Sequence, residues 1–389
     1  MMTDRLSLTR QRASRTRRYF LALGWAARGA TLVLCAMTLV APAVFGQVAA
    51  PASASGDSQW IRPVKAGDPL IWGRRDGIVF GLPSAGGLRG PRGLIRVGVV
   101  PETTGQPELL NFVAIEPVTA GPGSRFSRMA FSELEPSQMD AGLRGKRLWI
   151  DPDAYQGQLQ SFSPGEQGID RPEPAVETLS VKINVERFSA NGAHVYVIAS
   201  IASDHPDELR LAVYQCPDSS ALEELTLTAT MGNYERLRQL WLKDRVVTSL
   251  NLFASYQGDA FVEHENYPLD EMLRNADGDA IVLATSNEVS PTSAPNTAAP
   301  YWHYPFSRRL TQYWRVPAHD IEPDLRVRVN ARRVYWQSHN PLPGGVAFEN
   351  FEVRERYEPG QTFIFGVTPK EPWELDPPIP HVQAPSGSH

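Results

Sequence analysis

Residues 325–332 read Leu-Arg-Val-Arg-Val-Asn-Ala-Arg. Leu325, Val327, Val329 and Ala331 take every second place, and Arg326, Arg328, Asn330 and Arg332 fill the others. Successive side chains of an extended strand leave opposite faces, so this period predicts a strand with one apolar and one polar side. A second strand is expected over 348–355, with looser alternation. Pro343-Gly344-Gly345 between the two has the composition of a turn. Together they predict an antiparallel ribbon with one apolar face and one face of arginines, aromatics and amides.

The same alternation recurs along the chain. Residues 179–188 put Leu179, Val181, Ile183 and Val185 against Lys182, Asn184 and Glu186. Asn191-Gly192 follows as a hairpin signal, and 193–201 returns as an apolar strand. Further strands are expected over 77–82, 94–100, 110–118, 209–214, 225–231 and 280–285. Residues 235–244 (ERLRQLWLKD) also fit a helix face, but 246–254 beyond them reads as strand, which favours strand for both. No segment carries the pattern of a long helix, and no repeat of fixed period is visible.

Many short strands with turn signals between them predict an all-β chain folded as a large antiparallel two-sheet β-sandwich. Jelly-roll and mutarotase-like supersandwiches have this length, and many handle carbohydrate. That is a likeness of class, with no family motif matched.

The first 46 residues read as an export signal. Seven arginines precede an apolar run over 29–45, and Thr16-Arg17-Arg18-Tyr19-Phe20-Leu21 resembles the twin-arginine signal of folded-protein export. A general secretory signal is the alternative. The apolar run is shorter than the ~20 residues that span a bilayer, so a retained anchor is not expected. A flexible linker over 47–59, a sandwich domain over 60–374 and a disordered tail over 375–389 complete the expected organisation. Periplasmic or secreted localisation follows from the signal.

Removing the seven leader arginines and Asp4 takes the formal charge from −5 to −11. An acidic surface argues against nucleic acid and against anionic membranes as partners. Of two cysteines, only Cys216 lies beyond the leader, so no internal disulfide is expected there. The glycine-rich 83–93 loop lacks the ending of a phosphate cradle, and no serine-nucleophile elbow or zinc-peptidase motif occurs. No cofactor or metal is expected.

Residues 301–369 gather aromatics, arginines, histidines and amides. Sugar-binding clefts need that mixture, because flat rings cover sugar C–H faces while amides and guanidinium groups read hydroxyls. The same residues also fit a structural reading, with aromatics in the core and arginines paired to Glu349, Glu352 and Glu355. On the sugar reading, Trp302, Tyr304, Arg309, Trp336 and Glu265 bind the ligand. Glu133, Glu135, His303 and His339 are the candidate catalytic residues. Two carboxyl groups across a groove serve a glycoside hydrolase. A histidine or tyrosine base with an arginine against a substrate carboxylate serves a polysaccharide lyase. Glu263-His264-Glu265 offers a histidine between acids, or a solvated loop. The acidic balance favours a neutral glycan and hydrolysis. A non-catalytic sugar-binding or cell-envelope protein needs only the aromatic surface.

Overall fold

The computed structural model describes residues 59–82, 93–102, 104–119, 146–162, 176–230, 237–259, 261–286, 311–334, 339, 341–342 and 344–375. In chain order its strands are β1 (Trp60–Ile61), β2 (Ile71–Arg74), β3 (Ile78–Gly81), β4 (Leu94–Val99) and β5 (Glu108–Thr119). Then come β6 (Leu148–Trp149), β7 (Gln158–Phe162), β8 (Val176–Val185), β9 (Val195–Ala202) and β10 (Glu208–Gln215). β11 (Leu222–Thr230), β12 (Leu237–Trp241), β13 (Val246–Thr248), β14 (Glu265–Pro268) and β15 (Leu273–Arg274) follow. The last are β16 (Ala280–Ser286), β17 (Thr311–Val316), β18 (Arg326–Arg332), β19 (Ala347–Arg356) and β20 (Thr362–Thr368).

These strands form two large antiparallel sheets, and the expected all-β two-sheet sandwich is the fold. The nine-stranded sheet runs β1-β2-β3-β4-β5-β11-β19-β18-β14. The second runs β13-β12-β16-β17-β20-β10-β9-β8-β6, with β15 on β16 and β7 on β8. Alternation builds the core between them. Val327, Val329 and Ala331 of β18 meet Phe351 and Val353 of β19 on one side, and Val197, Leu211, Trp314 and Phe365 face them from the second sheet. Trp314 Nε1 donates to Phe351 O at 2.8 Å, which ties β17 to β19 through the core. Trp60 Nε1 donates to Glu177 Oε2 at 2.8 Å between β1 and β8.

The predicted ribbon is present as the antiparallel pair β18–β19. Its register shifts between Val329 and Ala331, where a bulge turns Asn330 so that its Oδ1 accepts the Asn350 N–H at 2.9 Å. Gly344 and Gly345 in the connection take φ of 77° and 93°, a region that favours glycine. Residues 237–241 are strand, as read from sequence.

Two local readings are corrected. The strand at 246 stops at Thr248, because Thr248 Oγ1 accepts the Asn251 N–H and caps a short helix α1 (Ser249–Leu252). Asn191-Gly192 is not a two-residue hairpin, because β8 ends at Val185 and β9 starts at Val195. Asn191 is instead buried and donates to Pro117 O at 2.8 Å, which holds the longer loop against β5.

One close approach explains a glycine. Tyr313 and Gly366 are register partners on β17 and β20, and a Cβ on Gly366 would sit 2.0 Å from the Tyr313 ring. The ring lies across the bare backbone, and its hydroxyl reaches Glu208 Oε1 at 3.2 Å. No helix among the described residues is long and apolar enough to cross a membrane.

Candidate functional site

The side of the nine-stranded sheet that faces away from the core carries the densest chemistry. On β11, Leu225, Leu227 and Ala229 enter the core, so Thr226 and Thr228 point the other way. Register places Thr226 between Glu116 of β5 and Arg354 of β19, and Arg354 opposite Arg326 of β18. The next row is Ala114, Thr228, Glu352, Arg328 and then Asn266 of β14. An outer sheet face ordinarily meets water. Here Glu116, Glu224, Thr226, Thr228, Glu352 and Arg354 are all buried.

Buried charge requires partners. Glu352 Oε1 lies 2.7 Å from His264 Nε2, and its Oε2 lies 3.1 Å from Arg328 Nη1. Arg354 Nε donates to Glu224 Oε2 at 2.8 Å, and Arg326 Nη2 stands 3.4 Å from Glu224 Oε1. Further along the ribbon, Arg332 Nε is 3.0 Å from Glu349 Oε2. The arginines therefore pair with Glu349 and Glu352, as the structural reading of the ribbon expects. Glu355 instead accepts from the Glu322 N–H and the Gln361 amide.

Burial alone would push the Glu352 carboxyl up. The hydrogen bond and charge of His264, with the charges of Arg328 and Arg354, outweigh it and hold the group below the usual carboxylate range. Glu352 is thus a buried anion. Burial lowers the Arg354 guanidinium, with Glu224 opposing that shift.

Two threonine hydroxyls on this face stay unanswered. Among the described residues, the Thr226 and Thr228 hydroxyls have no hydrogen-bond partner, although both atoms are buried. Exposure rises from this point toward the open edge. The Glu352 side chain is 2% exposed, Arg328 12% and His264 13%, and Asn266 on the edge strand β14 is exposed. At the other end of the face, the Arg96 guanidinium carbon sits 5.2 Å from the centroid of the half-buried Phe112 ring. The face thus offers an anion, an imidazole, guanidinium groups, hydroxyls and an aromatic ring.

Of the residues nominated from sequence, Glu265 and His339 are described. Glu265 opens β14, is exposed, and stands in register with Val329. The His339 side chain is 92% exposed, with Nδ1 2.9 Å from Asp259 Oδ2. Glu133, Glu135, Trp302, His303, Tyr304, Arg309 and Trp336 lie outside the described residues. Sequence reasoning noticed His264 but gave it no partner, and it did not nominate Thr226, Thr228, Arg328 or Glu352 for a site. The threonines of 225–230 (LTLTAT) alternate visibly, which was the one available signal.

An open surface pocket of about 450 Å³ lies nearby, lined in part by Lys243, Asp270 and Arg274. Among the described residues it meets the polar face at Pro268, the register partner of Arg326. Among the described residues its lining holds no paired imidazole and carboxylate, so Glu352 marks the site better. No protein-family model matches the chain, and no curated protein matches it significantly.

Proposed function

We propose that this protein is an exported carbohydrate-active protein, a polysaccharide hydrolase, whose glycan lies against the polar face of the nine-stranded sheet. The observation that carries this reading is the pair of unanswered threonine hydroxyls beside ionised Glu352, at the inner end of a gradient from exposed Asn266. A buried hydroxyl without a partner costs stability, on the order of 1–3 kcal/mol. Because both hydroxyls are buried, a ligand reaches them only in a conformation that uncovers them; there a polyhydroxylated ligand answers several such groups at once, and half-buried Phe112 supplies a ring for a sugar face.

The charges on the face largely cancel in carboxylate–guanidinium pairs. That suits a neutral glycan better than a polyanion. In hydrolysis, ionised Glu352 takes the proton of the attacking water, and a second carboxyl group donates to the leaving oxygen. Glu133 and Glu135 remain the sequence candidates for that acid. A second reading is favoured by the His264–Glu352 contact of 2.7 Å. In a lyase, His264 in its uncharged form is the base, Glu352 fixes its ring, and Arg328 faces a substrate carboxylate.

The test is a screen of neutral and uronic-acid polysaccharides, scored for reducing ends and for unsaturated products. Reducing ends alone, lost in Glu352→Gln, support hydrolysis. Unsaturated ends lost in His264→Ala support the lyase. Binding without turnover leaves a sugar-binding module, and silence across the panel ends the carbohydrate reading.

A further inference from the structure

A second cluster lies on the other sheet and has no part in the reading above. β9 and β10 are antiparallel neighbours whose last register pair is Val195 with Gln215. The Cys216 N–H donates to His194 O at 2.9 Å, which extends the pairing by one step and sets these two residues opposite each other. By alternation their side chains leave on the side of Tyr196 and Tyr214, away from the core residues Val195, Val197 and Val213. The chain then turns, with the Ser219 N–H donating to Cys216 O at 3.0 Å and the His194 N–H to Ser219 Oγ at 2.8 Å. That turn brings Asp218 back, and its Oδ1 lies 2.6 Å from His194 Nδ1. One donor atom from each of His194, Cys216 and Asp218 falls within 4.8 Å of the others.

We propose that His194, Cys216 and Asp218 form a binding site for zinc, with a fourth position open to solvent. The donor set is one thiolate, one imidazole and one carboxylate, and a thiolate selects soft or borderline cations over magnesium or calcium. Zinc takes such donors at about 2.0–2.3 Å in tetrahedral geometry, so donor atoms around it stand ~3–4 Å apart. To admit the ion, His194 Nδ1 and Asp218 Oδ1, now 2.6 Å apart, part slightly by side-chain rotation while the thiolate turns in, on a backbone that two hydrogen bonds already fix. The His194 and Asp218 side chains are 25% and 60% exposed, which leaves an entry path and room for a water in the fourth position. Binding releases the thiol proton, and the thiolate and carboxylate together neutralise the ion.

The test uses the full chain, stripped with chelator and kept reduced. Cobalt is titrated first, because a thiolate–cobalt bond gives a charge-transfer band, and zinc is then used to displace it. The expected result is one equivalent of cobalt with that band, displaced by one equivalent of zinc. Cys35→Ser should keep the band. Cys216→Ser should abolish it, and His194→Ala should weaken zinc binding at least tenfold, with unchanged circular dichroism in each. Absence of the band in the wild-type chain would overturn the proposal, as would its survival in Cys216→Ser.

Discussion

His264 and Glu352 stand 88 positions apart in sequence, and their Nε2 and Oε1 atoms lie 2.7 Å apart in the fold. His264 directly precedes β14, the edge strand beyond β18, so its side chain has to reach across β18 to meet Glu352 on β19. The pair joins the exposed edge to the buried interior of the polar face.

Glu352→Gln keeps the shape and removes the charge. Arg328 and His264 then face a neutral amide, and breaking one side of a buried ion pair costs about 3–5 kcal/mol. The expected outcome is a lower urea midpoint at pH 7 and loss of turnover on any glycan the wild-type protein cleaves. Full turnover in this variant would remove Glu352 from the chemistry.

Trp314→Phe tests the bond between the sheets. It removes the Nε1–H that Phe351 O accepts at 2.8 Å, in a residue with no solvent exposure. The loss expected is about 1–3 kcal/mol for the unanswered carbonyl, against about 3–5 kcal/mol for Trp314→Ala, which also leaves a cavity. Denaturant unfolding of both variants measures the difference.

Glu355 predicts an alkaline loss of stability. Burial pushes its carboxyl up to about 8, with the charges of Asp324 and Glu322 adding to the shift, against hydrogen bonds from the Glu322 N–H and Gln361. The folded value lies above the unfolded one, ~4.3. The contribution is therefore complete below about pH 4 and is lost as pH rises through about 8. The full loss is on the order of 5 kcal/mol as an upper limit. Unfolding at pH 5 and at pH 8.5 should show it, and Glu355→Gln should flatten the slope.

Asp279 behaves in the opposite sense. Burial would raise its carboxyl, but hydrogen bonds from Arg315, the Ala318 N–H and Asn275 together hold it below the ordinary value. Its contribution is present above the unfolded value and is lost as pH falls through the folded one. Arg315 bridges Asp279 and Glu208, so Asp279→Asn should lose about 1–3 kcal/mol at pH 7. It should lose much less at pH 2.5.

The ribbon was legible because alternation is local. Arg326, Val327, Arg328 and Val329 state their faces without reference to any partner. The helix at 249–252 was not, because Val246, Val247 and Leu250 continue an apolar run while one hydroxyl, that of Thr248, decides the change. The polar face was half legible. Alternation assigns Thr226, Thr228, Glu352 and Arg354 to the side away from the core, and that side is expected to be wet. Their burial, and the meeting of His264 with Glu352, depend on contacts far apart in sequence. The donors of the proposed zinc site were hidden for the same reason, since His194 and Cys216 meet through the pairing of β9 with β10.

The claim that a glycan answers the buried hydroxyls has one direct test, the Thr226→Val, Thr228→Val double variant. Valine matches threonine in shape and removes the hydroxyl. Because neither hydroxyl has a partner in the free protein, the variant should unfold at the same or a higher denaturant concentration than wild type. Calorimetric titration with the polysaccharide that the screen selects should show affinity at least tenfold weaker. Unweakened affinity in a stably folded variant would contradict the account, because the glycan would then not touch this face.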